Sequence, residues 1–533
     1  MVPQSSRTGK VKFAGVYSLL DERLDTHAII SELSQPIEKS YGPGESTRQP
    51  AENGLSSNRS RCGDGSSLHR STGGSIVGNC PARRAALKRC PLIDSQHDST
   101  HNPMSTATRP AASKQLATLH GLGVACGLGA GVWLGAAEAP TKLVNSGLSP
   151  FAVSLCMVAG VFTARWTFPT LLKGTHYIVS DLMRKKHLIV WALLAGALWA
   201  VANTLTVFAI RDVGLAIAFP LWNANSLVGI FWGWLLFGEL RGASRGTTAK
   251  VLFGAIAIVA AAIMLGFSTI HGGIAAPRDA VHGVAAAIGA SLLWGTMYVP
   301  YRKAYISGMN PLSFVTGFTV GELVTMLALV LALDGGTQAP VFHSAQVRTM
   351  LFWLFLGGFV WVVGDLLQQF AVKYLGIGRG IPLSNTNQLW GIAWGALVFG
   401  ELAQASGAQK LLVFAGSLIM VLGALSISSA VAGEREHSSM TDALRGECDR
   451  YNLDYEQVLA ECSGHEIRGT EKQRGWWDYL IIAAAIAIFV WLGSQAAVPP
   501  LSMNFLWLGM LAIVLIASLV ACTLALWKKT KFS

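Results

Sequence analysis

The chain has 533 residues, of which 52% are hydrophobic and only 13% are charged, and its formal net charge is +11. So apolar a composition excludes an ordinary soluble protein and predicts an integral membrane protein that is partnered by the lipid bilayer. The basic residues lie between apolar segments and near the chain ends rather than on one folded face. We therefore expect no nucleic-acid partner and read these charges as signals of membrane orientation.

The first 103 residues differ from the rest, because they are rich in Ser, Gly and Arg and contain no apolar stretch of span length. This composition predicts disorder over an N-terminal segment, residues 1–115. Met104 opens a short polar leader that runs directly into the first apolar segment. We expect translation to start at Met104, which would make residues 1–103 an error of the gene model; a genuine regulatory tail is the alternative.

The remainder of the chain contains twelve apolar segments long enough to cross a bilayer as helices. Their approximate positions are 119–138, 151–172, 187–210, 213–237, 250–269, 281–301, 312–333, 349–372, 375–399, 409–432, 476–497 and 503–527.

A duplication organises the first ten of these segments. Residues 208–240 return as residues 370–402 with 17 of 33 residues identical, and both copies end in FGEL. An internal repeat of this length in a polytopic chain is typical of secondary transporters. We assign residues 116–270 and 280–432 to two repeats of five spans each. Because five is odd, the second repeat must enter the membrane in the opposite direction.

The predicted fold class is therefore an all-α polytopic membrane protein, a ten-helix inverted repeat (5+5) with a C-terminal two-helix hairpin. A polar loop, 433–475, separates the repeats from the hairpin and its basic tail, 476–533. In this loop, apolar side chains recur at helical spacing and predict one or two short amphipathic helices, with a break at 452–454. We expect the charged residues of the loop to form a solvated face.

Counting Lys and Arg between the ten spans gives twelve on one side of the membrane and five on the other. By the positive-inside rule, the richer side is cytoplasmic, so both the N- and C-termini are predicted to lie in the cytoplasm. The expected location is the cell membrane.

Each copy of the duplicated motif places amide side chains directly after a proline, Pro220 or Pro382. A proline removes an intrahelical hydrogen bond, and polar side chains at that depth need partners or a cavity. The amides are Asn223, Asn225, Asn385, Asn387 and Gln388.

We separate these amides by helix face, because residues two apart point to nearly opposite sides unless the helix unwinds. Asn225 and Asn387 share a face with glycines spaced for close helix contact, so we predict helix packing and interhelical hydrogen bonds there. The glycines of these two surfaces are Gly229, Gly233, Gly391 and Gly395.

The opposite face is the predicted substrate site. Amides that donate and accept hydrogen bonds beside aromatic rings suit a neutral polyhydroxyl ligand. The candidate substrate contacts are Asn223, Asn385, Gln388, Trp222 and Trp390, together with Trp133 and Trp294 of the first span in each repeat.

Charged residues within the spans suggest two further roles. Asp365 and Arg379 have uncharged counterparts in the first repeat, and we expect them to form a structural ion pair. Glu322 lies near the middle of its span, so we take it as the candidate coupling residue, with a fixed pair to Arg165 as the alternative. For Glu239, in the first FGEL, we expect binding to backbone amides of the next segment.

No pattern in the chain indicates an enzyme, because we find no nucleophile, metal or nucleotide motif in a suitable context. The eight Cys are scattered without a CxxC pair. We expect no metal site, no disulfide framework and no cofactor.

WGTMYVPYRKAY at 294–305, the Asn and Gln cluster at 385–388 and the FGEL endings resemble the glucose/ribose porter family of the drug/metabolite transporter superfamily. Bacterial glucose-uptake and rhamnose transporters are related to it. The resemblance covers residues 116–432 and implies ten spans in inverted repeats, a sugar substrate and symport with a proton or cation. The first span departs from the family pattern, since it reads VWLGAAEAPTK, and the last two spans have no counterpart in it.

Two alternatives remain at this point. The same superfamily fold would serve an exporter of amino acids, drugs or other metabolites, because fold does not fix substrate. A membrane receptor or scaffold that transports nothing is the second alternative, which the appended loop and hairpin would suit.

The charge bias predicts that residue 104, the loop 433–475 and Ser533 all face the cytoplasm. Reporter fusions at Ser439 and Ser533 should therefore be active only with a reporter that works in the cytoplasm. Activity of a periplasm-dependent reporter at Ser439 would contradict the orientation assigned to both repeats.

Overall fold

A computed structural model describes residues 109–137, 139–140, 148–213, 218, 221–268, 277–400, 402–403, 405–465, 474–497 and 503–533. The expectations for residues 1–108, including the start at Met104, lie outside the described residues, as does that for Pro220. Within the described ranges every regular element is a helix.

Seventeen α-helices are numbered here in chain order over the described residues. They are α1 (Arg109–Ala136), α2 (Pro150–Leu172), α3 (Thr175–Arg184), α4 (His187–Val213), α5 (Asn225–Phe237), α6 (Arg245–Ser268), α7 (Pro277–Ile306), α8 (Pro311–Leu333), α9 (Pro340–His343), α10 (Ala345–Leu375), α11 (Ile377–Ser384), α12 (Asn387–Ala393), α13 (Gly407–Ser428), α14 (Glu434–Tyr451), α15 (Tyr455–Cys462), α16 (Trp476–Gln495) and α17 (Phe505–Thr530).

Ten of the described helices are long and apolar enough to cross a membrane: α1, α2, α4, α6, α7, α8, α10, α13, α16 and α17. The protein is therefore a multi-pass membrane protein, and the predicted all-α polytopic fold class is confirmed. The ten helices match ten of the twelve predicted spans.

The other two predicted spans, 213–237 and 375–399, are interrupted at the duplicated amides. α5 begins only at Asn225, after a turn at Ala224. In the second copy, a turn at Asn385 and Thr386 separates α11 from α12, and a π-helical turn follows over Trp394–Val398. Pro382, which lies inside α11, cannot donate a backbone hydrogen bond, and this weakens the helix just before the break.

The helix contacts between the two repeats come in equivalent pairs. For each contact there is a second one in which the corresponding helices of the two repeats have changed places. α7 packs along α4, and its counterpart α1 packs along α10; α8 packs against α4, as α2 packs against α10. The last spans, α6 and α13, pack against each other. This arrangement fits two related five-span units, while their opposite insertion into the membrane remains a prediction.

Glycines bring the repeats into backbone contact at two such pairs of helices. A Cβ built on any of four glycines would lie only 2.0 to 2.3 Å from a carbonyl oxygen of the facing helix, so a larger residue would force the helices apart. The pairs are Gly160 with Phe355, Gly358 with Met157, Gly196 with Phe318, and Gly321 with Leu193.

The loop after the repeats folds into α14 and α15, which confirms the predicted amphipathic helices. Asn452 ends α14 in a left-handed conformation with φ of 51°, and the Asp454 side chain caps α15. The expectation of a solvated charged face is wrong for Glu436, Glu447 and Glu461, because these side chains form ion pairs with the bundle.

The hairpin helices contact both repeats: α16 packs on α2 and α10, and α17 packs on α1 and on the π-helical turn over Trp394–Val398. Most of their large apolar side chains are exposed, for example Val490, Trp491 and Ile513. Exposed apolar faces on span-length helices suit contact with lipid chains.

Candidate functional site

The two helix breaks meet, and their amides bond across the repeats. Nδ2 of Asn385 lies 2.9 Å from Oδ1 of Asn225, 3.1 Å from the Ser226 hydroxyl and 3.1 Å from the Asn223 carbonyl oxygen. These groups need partners because the interrupted helices leave polar atoms in an apolar interior. One side chain of the second repeat thus holds three residues of the first.

Gln388, on the next helical turn after Asn385, adds two hydrogen bonds to this group of amides. Its Oε1 accepts a hydrogen bond from Nδ2 of Asn223 at 3.1 Å, and its Nε2 donates to the carbonyl oxygen of Ala262 in α6 at 3.0 Å. The structure therefore brings together three predicted substrate amides, Asn223, Asn385 and Gln388. All three are buried. We call these three residues with Asn225 and Ser226 the amide cluster.

The residues predicted to pack helices lie at close contacts. Asn225 makes the interhelical hydrogen bond to Asn385. The side-chain oxygen of Asn387 has no hydrogen-bond partner among the described residues. The backbone of Asn387 lies close to α1, because a Cβ built on Gly135 would be 2.4 Å from the Asn387 carbonyl oxygen. Gly391 meets the same point of α1, since its amide nitrogen would be 2.9 Å from that Cβ.

The glycines of the first copy face the second repeat and the end of their own helix. A Cβ on Gly229 would contact Ile377 of α11 at 3.0 Å, and one on Gly233 would lie 2.8 Å from the Glu239 carboxylate. Gly395 is buried in the π-helical turn.

Four tryptophans were predicted to contact substrate, and the structure places them in different surroundings. Trp294 joins Trp199 and Trp361 in an edge-packed group with ring centroids 5.1 to 6.3 Å apart. Trp133 instead donates its indole N–H to Leu515 and Ser518 of α17, both at 3.2 Å. That hydrogen bond directs its polar edge towards the hairpin.

Trp222 and Trp390 are both partly buried beside the helix breaks. Trp390 packs closely on α1, because a Cβ on Gly135 would be 2.6 Å from its own Cβ. Trp222 packs on the apolar group of Ala209, Ala218 and Ala287.

A second polar group, the ion cluster, consists of Arg165, Glu322 and Asp365. The Arg165 guanidinium lies 2.9 Å from the Glu322 carboxylate and 2.6 Å from the Asp365 carboxylate, and all three side chains are 0% exposed. α2, α8 and α10 each supply one charge. The predicted alternative of a pair between Glu322 and Arg165 is thus observed, with Asp365 as a third member.

The predicted ion pair between Asp365 and Arg379 is wrong. Arg379 pairs with Glu436 of α14 at 2.7 Å. α10 continues for ten residues beyond Asp365 before α11 begins at Ile377, which is a rise of about 15 Å along the helix. Arg379, in the first turn of α11, is therefore too far along the bundle axis to reach Asp365.

Aromatic rings cover the guanidinium of Arg165. Its central carbon lies 4.0 Å from the Phe318 ring centroid and 5.4 Å from that of Trp361. A cation over an aromatic face is stabilised by the ring quadrupole, most strongly where water is excluded. Through Trp361, the ion cluster adjoins the tryptophan group that contains Trp294.

With both acids ionised, the ion cluster carries two negative charges and one positive charge. A net charge of −1 is costly in a buried site, and binding one proton or one monovalent cation would remove it. Tyr305 of α7 reaches the cluster through Gln369, and a tyrosine adds no charge to it at neutral pH.

Two adjacent glutamines of α10 lie between the two sites, one bonded to the ion cluster and the other beside the helix break. Gln369 donates to Oδ1 of Asp365 at 2.8 Å and accepts from the Tyr305 hydroxyl. Gln368 donates to the hydroxyl of Ser384 at 2.6 Å, one residue before Asn385. One face of α10 therefore borders both polar clusters.

Glu239 binds backbone amides, as predicted for the FGEL carboxylate, but they belong to α11 of the second repeat and not to the segment that follows Glu239 in the chain. Its two oxygens accept from the N–H groups of Ile377 at 3.0 Å and Gly378 at 2.9 Å, which are the first amides of α11. Arg302 lies 2.9 Å away and balances the charge. The carboxylate of one repeat thus caps the interrupted helix of the other.

The sequence alone did not reveal Arg165 as the centre of the ion cluster, nor Trp199 and Trp361 beside it. A lone arginine within a span was the available signal, because such residues are rare and usually functional. Its partners come from distant spans, so sequence spacing could not identify both.

Comparisons with known proteins agree with this picture. A family described as "Sugar transport protein" matches residues 286–446. A "Putative sugar uptake protein" of Listeria innocua is 24% identical over 242 residues, which cover 44% of this chain and 77% of the relative. The resemblance to a sugar transporter family is confirmed.

Other relatives carry the same description. One from Listeria monocytogenes is 24% identical over 246 residues, covering 46% of this chain and 80% of its own length. One from Lactobacillus johnsonii is 28% identical over 132 residues, covering 24% and 45% respectively. The identities are low throughout, so the similarity to these relatives does not fix the substrate of this chain.

The charge balance of the ion cluster predicts unequal effects of removing its members. Arg165→Met should cost about 3 to 5 kcal/mol of stability, because it leaves two carboxylates buried without a counter-ion. Asp365→Asn should cost less, since it leaves one acid and one base. Thermal unfolding of the purified variants in detergent measures the difference, and equal losses would contradict the assigned net charge.

Proposed function

We propose that this chain is a secondary transporter that takes up a sugar across the cell membrane by alternating access between its two repeats, coupled to a proton or cation. The similarity to sugar uptake proteins supports the substrate class. The observation that carries the mechanism is the meeting of two interrupted helices, one from each repeat, at buried amides. Discontinuous helices at a repeat interface are a recurrent form of transporter binding site.

The amide cluster is the proposed sugar site. Each amide offers donors and an acceptor, which match the hydroxyl groups of a sugar. In this structure Asn385 and Gln388 use these groups to bond the first repeat. A sugar that bonds to them would replace contacts between repeats, and binding would then change how strongly the repeats hold together.

The ion cluster is the proposed coupling site, with Glu322 as the residue that gains and loses the proton. Its net charge of −1 supports this role, because one proton restores neutrality. Gln369 bonds Asp365 and its neighbour Gln368 bonds Ser384, so a shift of α10 on protonation would also move the partner of the residue before Asn385. Coupling requires such a link between the two sites.

The proposed orientation places both chain ends in the cytoplasm. Basic residues of two predicted inner loops lie at the bundle end that α14 and α15 cover. Lys185 and Lys303 bond these helices directly, and Arg302 contacts Met440 of α14. Their grouping at one end is what the positive-inside assignment requires.

Uptake into proteoliposomes tests the function. We expect the unmodified protein to concentrate sugar when an inward proton gradient is imposed. Glu322→Gln keeps the shape of the side chain but cannot titrate, so it should equilibrate sugar without concentrating it. Asp334→Asn, at the C-terminal end of the same helix, serves as a matched control and should behave like the parent protein.

Concentrative uptake by Glu322→Gln would exclude this residue from coupling. Sugar efflux in place of uptake would indicate an exporter, and sugar binding with no flux in either direction would indicate a receptor.

The amide cluster predicts a ranking of sugar affinities. Asn385→Ala and Gln388→Ala each remove a side chain that bonds the facing repeat, and each lost hydrogen bond to sugar should cost about 1 kcal/mol. Asn387→Ala should cost less, because this side chain lies outside the cluster. Isothermal titration with sugar provides the comparison; equal affinities in the three variants would mean that the amides serve only packing.

A further inference from the structure

α14 and α15 lie across one end of the helical bundle and are held there by buried charges. Within the described residues, three glutamates of these helices pair with basic residues of the bundle: Glu436, Glu447 and Glu461. The match to the sugar transport family ends at residue 446, within α14, so Glu447 and Glu461 lie beyond the matched residues.

Glu436 contacts both repeats. Its carboxylate forms a two-pronged pair with Arg379 of α11, at 2.7 and 2.8 Å, and both side chains are less than a tenth exposed. The same carboxylate accepts the backbone N–H of Leu240, at the end of the first repeat's α5 segment, at 3.4 Å. A buried two-pronged arginine pair is among the most directional contacts available to side chains.

Glu447 and Tyr451 make a second bridge. Both carboxylate oxygens of Glu447 lie 2.9 Å from the Lys303 ammonium, at the end of α7 in the second repeat. Tyr451, one turn further, stacks on His187 at the start of α4 in the first repeat, with ring centroids 3.9 Å apart. One turn of α14 thus touches both repeats.

Glu461 holds the far end of α15 to the first repeat. Its carboxylate lies 3.0 Å from the ammonium of Lys185, which also pairs with Asp181 at 3.1 Å. Burial alone would lower the pKa of Lys185, but the charges of Asp181 and Glu461 outweigh it and raise the pKa. The lysine therefore remains charged, and the contact stays ionic.

We propose that α14 and α15 form an ionic strap, residues 434–462, that holds the two repeats together at this end and slows transport until it is released. The inference rests on the proposed function, because alternating access moves one repeat against the other. Contacts that bridge both repeats stabilise the closed arrangement of this end and must break when it opens. The ion pairs fix the position of the strap on the bundle, because any other position would leave buried charges unpaired, and an unpaired buried charge is costly.

A charge exchange tests the strap in proteoliposomes. Glu447→Lys places two cations together and should release this contact, which should raise the sugar turnover rate on the order of 5-fold, a typical coupling effect. Adding Lys303→Glu restores an opposite pair and should return turnover towards the parent rate. Unchanged turnover in the single variant, or no reversal in the double variant, would overturn the proposal.

Crosslinking tests the strap where a charge variant fails to fold. Lys185→Cys with Glu461→Cys, which joins α15 to the first repeat, in a chain whose native cysteines are replaced by Ser, accepts a short bis-methanethiosulfonate linker that dithiothreitol removes. We expect the linked protein to lose transport and the reduced protein to regain it. Full transport by the linked protein would show that the strap does not need to open.

A distance measurement separates this proposal from the proposed function. Spin labels at Ser438→Cys and Gly246→Cys report the position of α14 on the first repeat without any transport assay. Glu436→Gln should lengthen and broaden the measured distances, whereas Glu434→Gln, an exposed glutamate of the same helix, should leave them unchanged. Unchanged distances in Glu436→Gln would overturn the strap, even if sugar transport is established.

Discussion

The burial of three charges, those of Arg165 and the two carboxylates that pair with it, is the constraint on which the proposed mechanism depends. A guanidinium without exposure to water needs its two carboxylates, and the carboxylates need it, so α2, α8 and α10 are held together by opposite charge. When both acids are ionised, the pairing leaves one negative charge in excess. A membrane-embedded site that is neutral only after binding a proton or cation is suited to coupling.

The helix breaks provide the second half of the mechanism. An intact helix satisfies its own backbone and offers little to a polar ligand, whereas an interrupted helix exposes donors and acceptors that must find partners. Asn385 and Gln388 find them in the other repeat. Glu239 and Arg302 stabilise the start of the same interrupted segment. Ligand binding and motion between repeats are therefore proposed to depend on the same hydrogen bonds.

Much of the fold could be predicted from the sequence, because apolar length and the internal duplication are local or periodic signals. Ten spans, the amphipathic α14 and α15 and the break near Asn452 all follow from such signals. The helix interruption at Asn385 was not predicted: the amides were assigned to opposite faces of a continuous helix, whereas the break brings Asn223 and Asn225 to the same side chain, Asn385.

The partners of charged residues could not be predicted in the same way. Asp365 and Arg379 lie on consecutive spans, yet the rise along α10 separates them, and each pairs with a residue that is distant in sequence. The charges of the loop looked like a solvated surface because their partners belong to other segments. Spacing reveals which residues share a helix face, but only the packed bundle shows which charges meet.

Linkage between proton binding and sugar binding tests the coupling of the two clusters most directly. The sugar dissociation constant of the purified protein should be measured over a wide range of pH. If the ion cluster must bind one proton for the amide cluster to bind sugar well, log Kd should rise with pH with a limiting slope of about one. The slope should vanish when Glu322 is replaced by Gln. A dissociation constant that is independent of pH in the unmodified protein would contradict coupling through this cluster.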